Sequence, residues 1–129
     1  MEETKILIIE DERHITKFLE FILVKEGCRI LCASDGRAAL ETLKTFEPDA
    51  ILLDLGLPDM SGIDLLREIR ADKTHQDAKV IVLSATLYEG ISDQLSAAGA
   101  DAQCSKPIAP TTLVRTLQNL NLLRPHNLN

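Results

Sequence analysis

No apolar run in this sequence approaches the roughly 18 residues that a membrane-crossing helix requires. The chain begins "MEETKILIIED", acidic where an export leader would be basic and then apolar. The sequence therefore reads as that of a cytoplasmic protein with no membrane partner. Basic charge is also scarce, with 14 Lys and Arg against 20 Asp and Glu for a formal net charge of −6. That balance argues against nucleic acid as a direct ligand, because phosphate binding needs a basic surface. Cysteine is too sparse for a disulfide framework. Cys28, Cys32 and Cys104 are odd in number and lack C-x-x-C spacing, so they read as inert buried thiols. His14, His75 and His126 are too scattered to announce a ligand cluster. There is no repeat, low-complexity segment or linker.

What is present is an alternation. The length of 129 residues suits one compact domain, read as residues 1–123 with a short polar tail over 124–129. Five runs read as strands: "KILIIE" (Lys5–Glu10), "CRILCA" (Cys28–Ala33), "AILLDL" (Ala50–Leu55), "KVIVLSA" (Lys79–Ala85) and "DAQCSK" (Asp101–Lys106). The first, third and fourth are continuous Ile, Leu and Val, as in parallel strands covered on both faces. The fifth is poor in strand formers and is assigned from the alternation alone. Helical spacing follows each strand: Ile15, Phe18, Leu19 and Ile22; Ala39, Leu43 and Phe46; Leu65, Leu66 and Ile69; Leu113, Leu117 and Leu120. Gly27 and Gly99 are expected to close the first and fourth helices. Asp35–Gly36 turns the chain into the second, and Ser61 with Asp64 has capping-box spacing at the third. Strand–helix alternation implies a doubly wound α/β fold, a five-stranded parallel sheet of flavodoxin-like order 2-1-3-4-5 with five helices on two faces.

In such a fold ligands bind beyond the carboxyl ends of the strands. Those ends carry Glu10 and Asp11, then Asp54, Ser84 and Lys106. Two carboxylates about 5 Å apart repel by roughly 3 kcal/mol at an effective dielectric of ~20, and one lysine cannot offset three. Hard oxygens without histidine or thiolate partners suit Mg2+. A phosphate that shares the metal with Lys106 and Ser84 is the natural second ligand. Each residue taken singly has an ordinary structural role as a cap or an ion pair; five on one rim do not.

These residues resemble the receiver domain of two-component response regulators over essentially the whole chain. The resemblance rests on Glu10–Asp11, the D-x-x-x-P-x-x-x-G run from Asp54 through Pro58 to Gly62, Ser84–Ala85 and Lys106–Pro107. It implies that Asp54 accepts a phosphoryl group from a sensor histidine kinase or histidine phosphotransfer protein. It further implies that Asp11, Asp54 and the Gly56 carbonyl ligate Mg2+, with Glu10 acting through a metal-bound water. Lys106 would pair with Asp54 and then with the phosphoryl group, Ser84 would bond a phosphoryl oxygen, and Pro107 would follow a cis peptide. The protein would be a signalling domain that catalyses only its own phosphorylation and dephosphorylation. Three positions depart from the family pattern. Gln103 stands where an inward-swinging Tyr or Phe is usual, and the only tyrosine, Tyr88, is not its equivalent. Ile108 replaces the usual Phe after Lys106–Pro107, and the acidic pair is Glu-Asp rather than Asp-Asp. Ser84, Ala85, Gln103 and Pro107 are thus the switch positions, with an atypical output.

On the first helix, Val24 falls opposite the core stripe and is expected to help dock the histidine-bearing partner, while Phe21, to one side of the stripe, is expected either to pack against the last helix or to join Val24 in that docking surface. With no output domain expected after the last helix, the chain reads as a stand-alone receiver acting through protein contacts on an undetermined target, or else one excised from a longer regulator. A flavodoxin-type cofactor module would need a phosphate loop where "EDERH" stands. An aspartyl phosphatase would usually carry a carboxylate at position 56, which is glycine. A degenerate receiver that only binds partners is the non-phosphorylated alternative.

Overall fold

The computed structural model describes residues 3–85 and 90–125. Tyr88, His126 and most of the polar tail lie outside those residues. The elements alternate as expected: β1 Lys5–Ile9, α1 Arg13–Lys25, β2 Arg29–Ala33, α2 Gly36–Leu43, β3 Ala50–Asp54, α3 Gly62–Ala71, β4 Lys79–Ser84, α4 Ile91–Ala98, β5 Ala102–Ser105 and α5 Pro110–Asn119. All strand pairs are parallel, in the order β2-β1-β3-β4-β5. The weak fifth strand forms because β4 offers it an edge, with Ile81 opposite Ala102 and Ser84 opposite Ser105.

Strand alternation splits the core in two. Leu7, Ile9, Ile51, Leu53, Val80 and Val82 face α2, α3 and α4. Ile6, Ile8, Leu52, Ile81, Leu83 and Cys104 face α1 and α5. Both faces are dry, which is why the central strands contain almost nothing but Ile, Leu and Val. Gly27 and Gly99 follow α1 and α4 with φ of +82° and +110°, left-handed conformations that close a helix at little cost to glycine. Arg70 fastens the far end of the sheet. Its guanidinium donates to the carbonyls of His75, Gln76, Ala78 and Gly99 and pairs with Asp101 at 2.7 Å.

Several local expectations shift. The α1 stripe is Ile15, Leu19, Ile22 and Leu23, whereas Phe18 is 42% exposed. Phe46 is buried but lies beyond α2, where its N–H still donates to the Thr42 carbonyl at 3.0 Å. Asp35 caps α2, accepting from the Ala38 N–H at 2.7 Å. The capping box at α3 does not form. Ser61 is the N-cap without a side-chain bond, and Asp64 turns to Arg67 at 3.3 Å. Loop closure takes one of the free donors there, Gly62 N–H to the Leu55 carbonyl at 3.2 Å.

Cys28 and Cys104 are buried, but Cys32 is exposed because β2 is an edge strand. Partial burial, then a bond from Sγ to Glu20 Oε1 at 3.4 Å and that carboxylate's charge, push the Cys32 thiol up to about 12. Thiolate is the reacting form, so at pH 8 this thiol presents about a thousandfold less of it than one at the ordinary 9.0. The greater basicity of that thiolate returns part of the loss. Alkylation of Cys32 at pH 8, followed by peptide mass spectrometry, should therefore run about 10–100 times slower than in the urea-unfolded chain. Its rate should still climb steeply with pH above 10, and Glu20→Gln should accelerate it.

Candidate phosphoacceptor site

β1 is carried one residue past its ladder by the Glu10 N–H, which donates to the Ala33 carbonyl at 3.0 Å. That extension delivers Glu10, 2% exposed, to the rim of the sheet, with Asp11 exposed beside it. Asp54 ends β3 opposite Leu83 and is 6% exposed. After β5, Lys106 donates its N–H to the Ser84 carbonyl at 2.9 Å and is followed by a cis peptide to Pro107. From there its ammonium reaches Glu10 Oε1 at 2.7 Å and Asp54 Oδ1 at 3.1 Å, with the lysine side chain only 12% exposed.

The charges do not balance. Lys106 is one cation among three carboxylates, and oxygens of Glu10, Asp11 and Asp54 lie within 4.8 Å of one another. Burial foremost raises the Glu10 carboxyl above its ordinary range. Lys106 and the Glu12 N–H pull it back, and the neighbouring Asp54 adds to the rise. For Lys106 burial acts downward, but the hydrogen bonds and charges of Glu10 and Asp54 prevail and hold the ammonium above its usual value. The pocket therefore favours keeping its lysine charged and still holds too much negative charge.

Buried Glu10 Oε1 has the Lys106 ammonium at 2.7 Å and, among the described residues, no further hydrogen-bond donor. An oxygen left in that state, in a cluster of carboxylates without imidazole or thiolate, fits a hard divalent cation such as Mg2+.

The other candidate residues are spread over the strand ends, the loops after them and α1. Ser84 ends β4 and is buried, alternating with Val80 and Val82 toward the α3–α4 side, and Ala85 beyond it is exposed. Gly56 is exposed on the loop after β3, and a Cβ built on it would lie 3.9 Å from Asp54 Oδ2. Pro107 is exposed. Gln103 is half-buried and turned to α4, accepting from Ser92 Oγ at 3.0 Å and donating to the Ser92 carbonyl at 3.5 Å. That partnership was not legible in the sequence. Nor was the role of Asp59, whose place beside Pro58 reads as a turn residue but whose carboxylate binds the start of α2. Val24 and Phe21 are 62% and 63% exposed on α1. Phe21 is therefore not covered by α5, as the packing reading required; its ring instead lies under the Lys25 ammonium at 4.3 Å, on the rim of a groove between the two helices.

Fold and site together define a receiver-type α/β domain. The family described as response regulator receiver domain matches residues 6–118, and the chain belongs to it. The chain is 43% identical to the transcriptional regulatory protein KdpE of Mycobacterium tuberculosis over 104 residues, 81% of this chain and 45% of that protein. It is also 43% identical to the KDP operon transcriptional regulatory protein KdpE of Escherichia coli over 106 residues, with the same coverage. The chain thus spans a little under half the length of these curated relatives. Among solved structures, Vibrio cholerae chemotaxis protein CheY4 superposes with a TM-score of 0.87 at 26% identity, covering 92% of this chain and 98% of that one. The receiver domain of sensor histidine kinase PA1611 from Pseudomonas aeruginosa, solved with a magnesium ion coordinated in its active-site cleft, gives 0.83 at 30% identity, covering 92% and 97%.

Removing the ammonium leaves Glu10 and Asp54 facing each other with no cation between them. Lys106→Met should lower stability in urea unfolding by about 3 kcal/mol, the low end for a broken buried pair because the lysine side chain is partly exposed. Asp54→Asn in that background should restore most of the loss, since it removes one of the two charges.

Proposed function

We propose that Asp54 is a phosphoacceptor and that the domain signals by gaining and losing an aspartyl phosphate. A single observation carries the reading: a half-buried lysine bridges two buried carboxylates in a three-carboxylate pocket that remains short of positive charge. In the reaction, a carboxylate oxygen of Asp54 attacks the phosphorus of a phosphohistidine on a sensor kinase or phosphotransfer protein. The new O–P bond forms as the P–N bond breaks, and the imidazole leaves with the electron pair. Phosphoryl transfer asks mainly for position and charge neutralisation. Lys106 supplies the fixed cation, already between Glu10 and Asp54, and can follow charge onto the phosphoryl oxygens. Ser84, at the end of the adjoining strand, is the hydroxyl assigned to a phosphoryl oxygen after transfer. Mg2+, held by Asp11, Asp54 and the Gly56 carbonyl with Glu10 acting through a water, would neutralise the charge that Lys106 leaves.

We read the docking face for the phosphohistidine-bearing partner on α1. Val24, Phe21 and Phe18 are apolar and exposed on α1. A groove of about 350 Å³ runs from Phe18 and Phe21 to Pro110 and Val114 of α5. An apolar helical surface on the partner would cover them. A second reading, that this is the receiver unit of a longer regulator, is favoured by the 45% coverage of its curated relatives, both of which are transcriptional regulatory proteins.

Incubation with acetyl phosphate and Mg2+ should add one phosphoryl group, seen by intact-protein mass spectrometry. Asp54→Asn or chelation with EDTA should abolish it, and equal labelling of the variant would end the phosphoacceptor reading. Val24→Glu should slow transfer from a phosphorylated histidine kinase at least severalfold while leaving acetyl phosphate labelling unchanged. Equal loss of both would reject the docking face.

A further inference from the structure

The loop from Leu55 to Ser61, which carries Gly56, is held at two places. At its base Gly62 lies so close to the end of β3 that a Cβ there would meet Leu55 Cα at 2.6 Å and the Asp54 carbonyl oxygen at 3.0 Å. Near its tip, Asp59 reaches across to another element altogether. Its Oδ1 accepts from the Gly36 N–H at 2.8 Å and its Oδ2 from the Arg37 N–H at 2.9 Å, so both oxygens grip the first turn of α2. Those bonds, Gly36 first, hold the Asp59 carboxyl below its ordinary range. The neighbouring Met60 closes the same contact sterically, since a Cβ on Gly36 would stand 2.5 Å from both Met60 Cγ and Sδ.

These bonds add to the capping of α2, whose first turn has four free N–H donors. α2 already has its own cap in Asp35, which accepts from the Ala38 N–H at 2.7 Å. Asp59 takes the two donors ahead of that one and comes from a loop 23 residues further along the chain. Between its closed base at Leu55 and Gly62 and its tip at Asp59, the loop carries Gly56.

We infer that Asp59 is a positioning residue for the cation site, fixing the loop carbonyl at Gly56 against Asp54 by gripping the N-terminus of α2. The inference rests on the magnesium reading above. Partners that orient ligands without touching the metal are typically worth 10–100-fold in affinity.

Calorimetric titration of Mg2+ into the 129-residue protein, well below its melting temperature, tests it. Asp59→Ala should weaken binding on the order of tenfold. Asp35→Ala, which also strips α2 of a cap and costs similar thermal stability, should stay within about twofold of wild type. Asp59→Asn, which keeps one acceptor oxygen for the α2 N–H groups, should fall between Asp59→Ala and wild type. If Asp59→Ala does not fold, Asp59→Asn decides alone. Equal effects of Asp59→Ala and Asp35→Ala, or Asp59→Asn binding as wild type does, would overturn the positioning role and leave the magnesium reading intact. A wild type that binds no Mg2+ would overturn both.

Discussion

One ammonium holds the centre of this domain together. Lys106 sits between Glu10 and Asp54, each within about 3 Å and each almost fully buried. Without it the ends of β1 and β3 would present adjacent charges with no counterion in a place largely closed to water. With it the pocket is habitable but not neutral, because Asp11 joins the cluster and Glu10 remains pushed above its ordinary range, first by burial. A fully compensated triad would be an inert structural feature. This one carries its own lysine and is still short of positive charge, and that imbalance is the physical basis of the proposed chemistry.

The imbalance is a product of topology. Parallel strands all point their carboxyl ends the same way, so residues far apart in sequence share one rim. Alternation along each strand then sorts them by face. Asp54 follows Ala50 and Leu52 on the α1–α5 side, whereas Ser84 follows Val80 and Val82 on the opposite side. The acidic centre and the hydroxyl thus approach the same space from different layers of the sandwich. The apolar density of β1, β3 and β4 allows this, since strands dry on both faces can be placed centrally and bring their ends to the deepest part of the rim.

Much of this was legible in the sequence because it rests on periodicity and strand order. Continuous Ile, Leu and Val runs marked the central strands, and the strand ends named Glu10, Asp11, Asp54, Ser84 and Lys106 before any coordinates. What escaped had no periodic signature. Phe18 has helical spacing with Ile15 and Ile22, yet it is 42% exposed and lines the groove beside α5. Ser61 and Asp64 have capping-box spacing, yet Asp64 finds Arg67. Cys32 reads as a core thiol until β2 proves to be an edge. Asp59, Arg70 and Gln103 each reach at least one partner more than ten residues away, and only the assembled chain shows which groups lie within their reach.

Gln103 bears on how a change at the site would reach the surface. An aromatic ring at that position would have to find or vacate an apolar seat, and burying such a ring is worth about 1.5–3 kcal/mol. The glutamine is instead tied to Ser92 at the start of α4 by one good hydrogen bond and one long one, both exposed. Such a tie contributes about 1 kcal/mol at most. It also joins β5 to α4 directly, with no ring between them. In a switch of the proposed kind, an inward pull on Ser84 would therefore work against a weak polar latch on α4, and the resting arrangement of α4 and β5 would yield more readily than a seated ring allows. The cost of activation then lies almost wholly in the charged pocket, where Lys106 must exchange part of its hold on Glu10 and Asp54 for the phosphoryl oxygens.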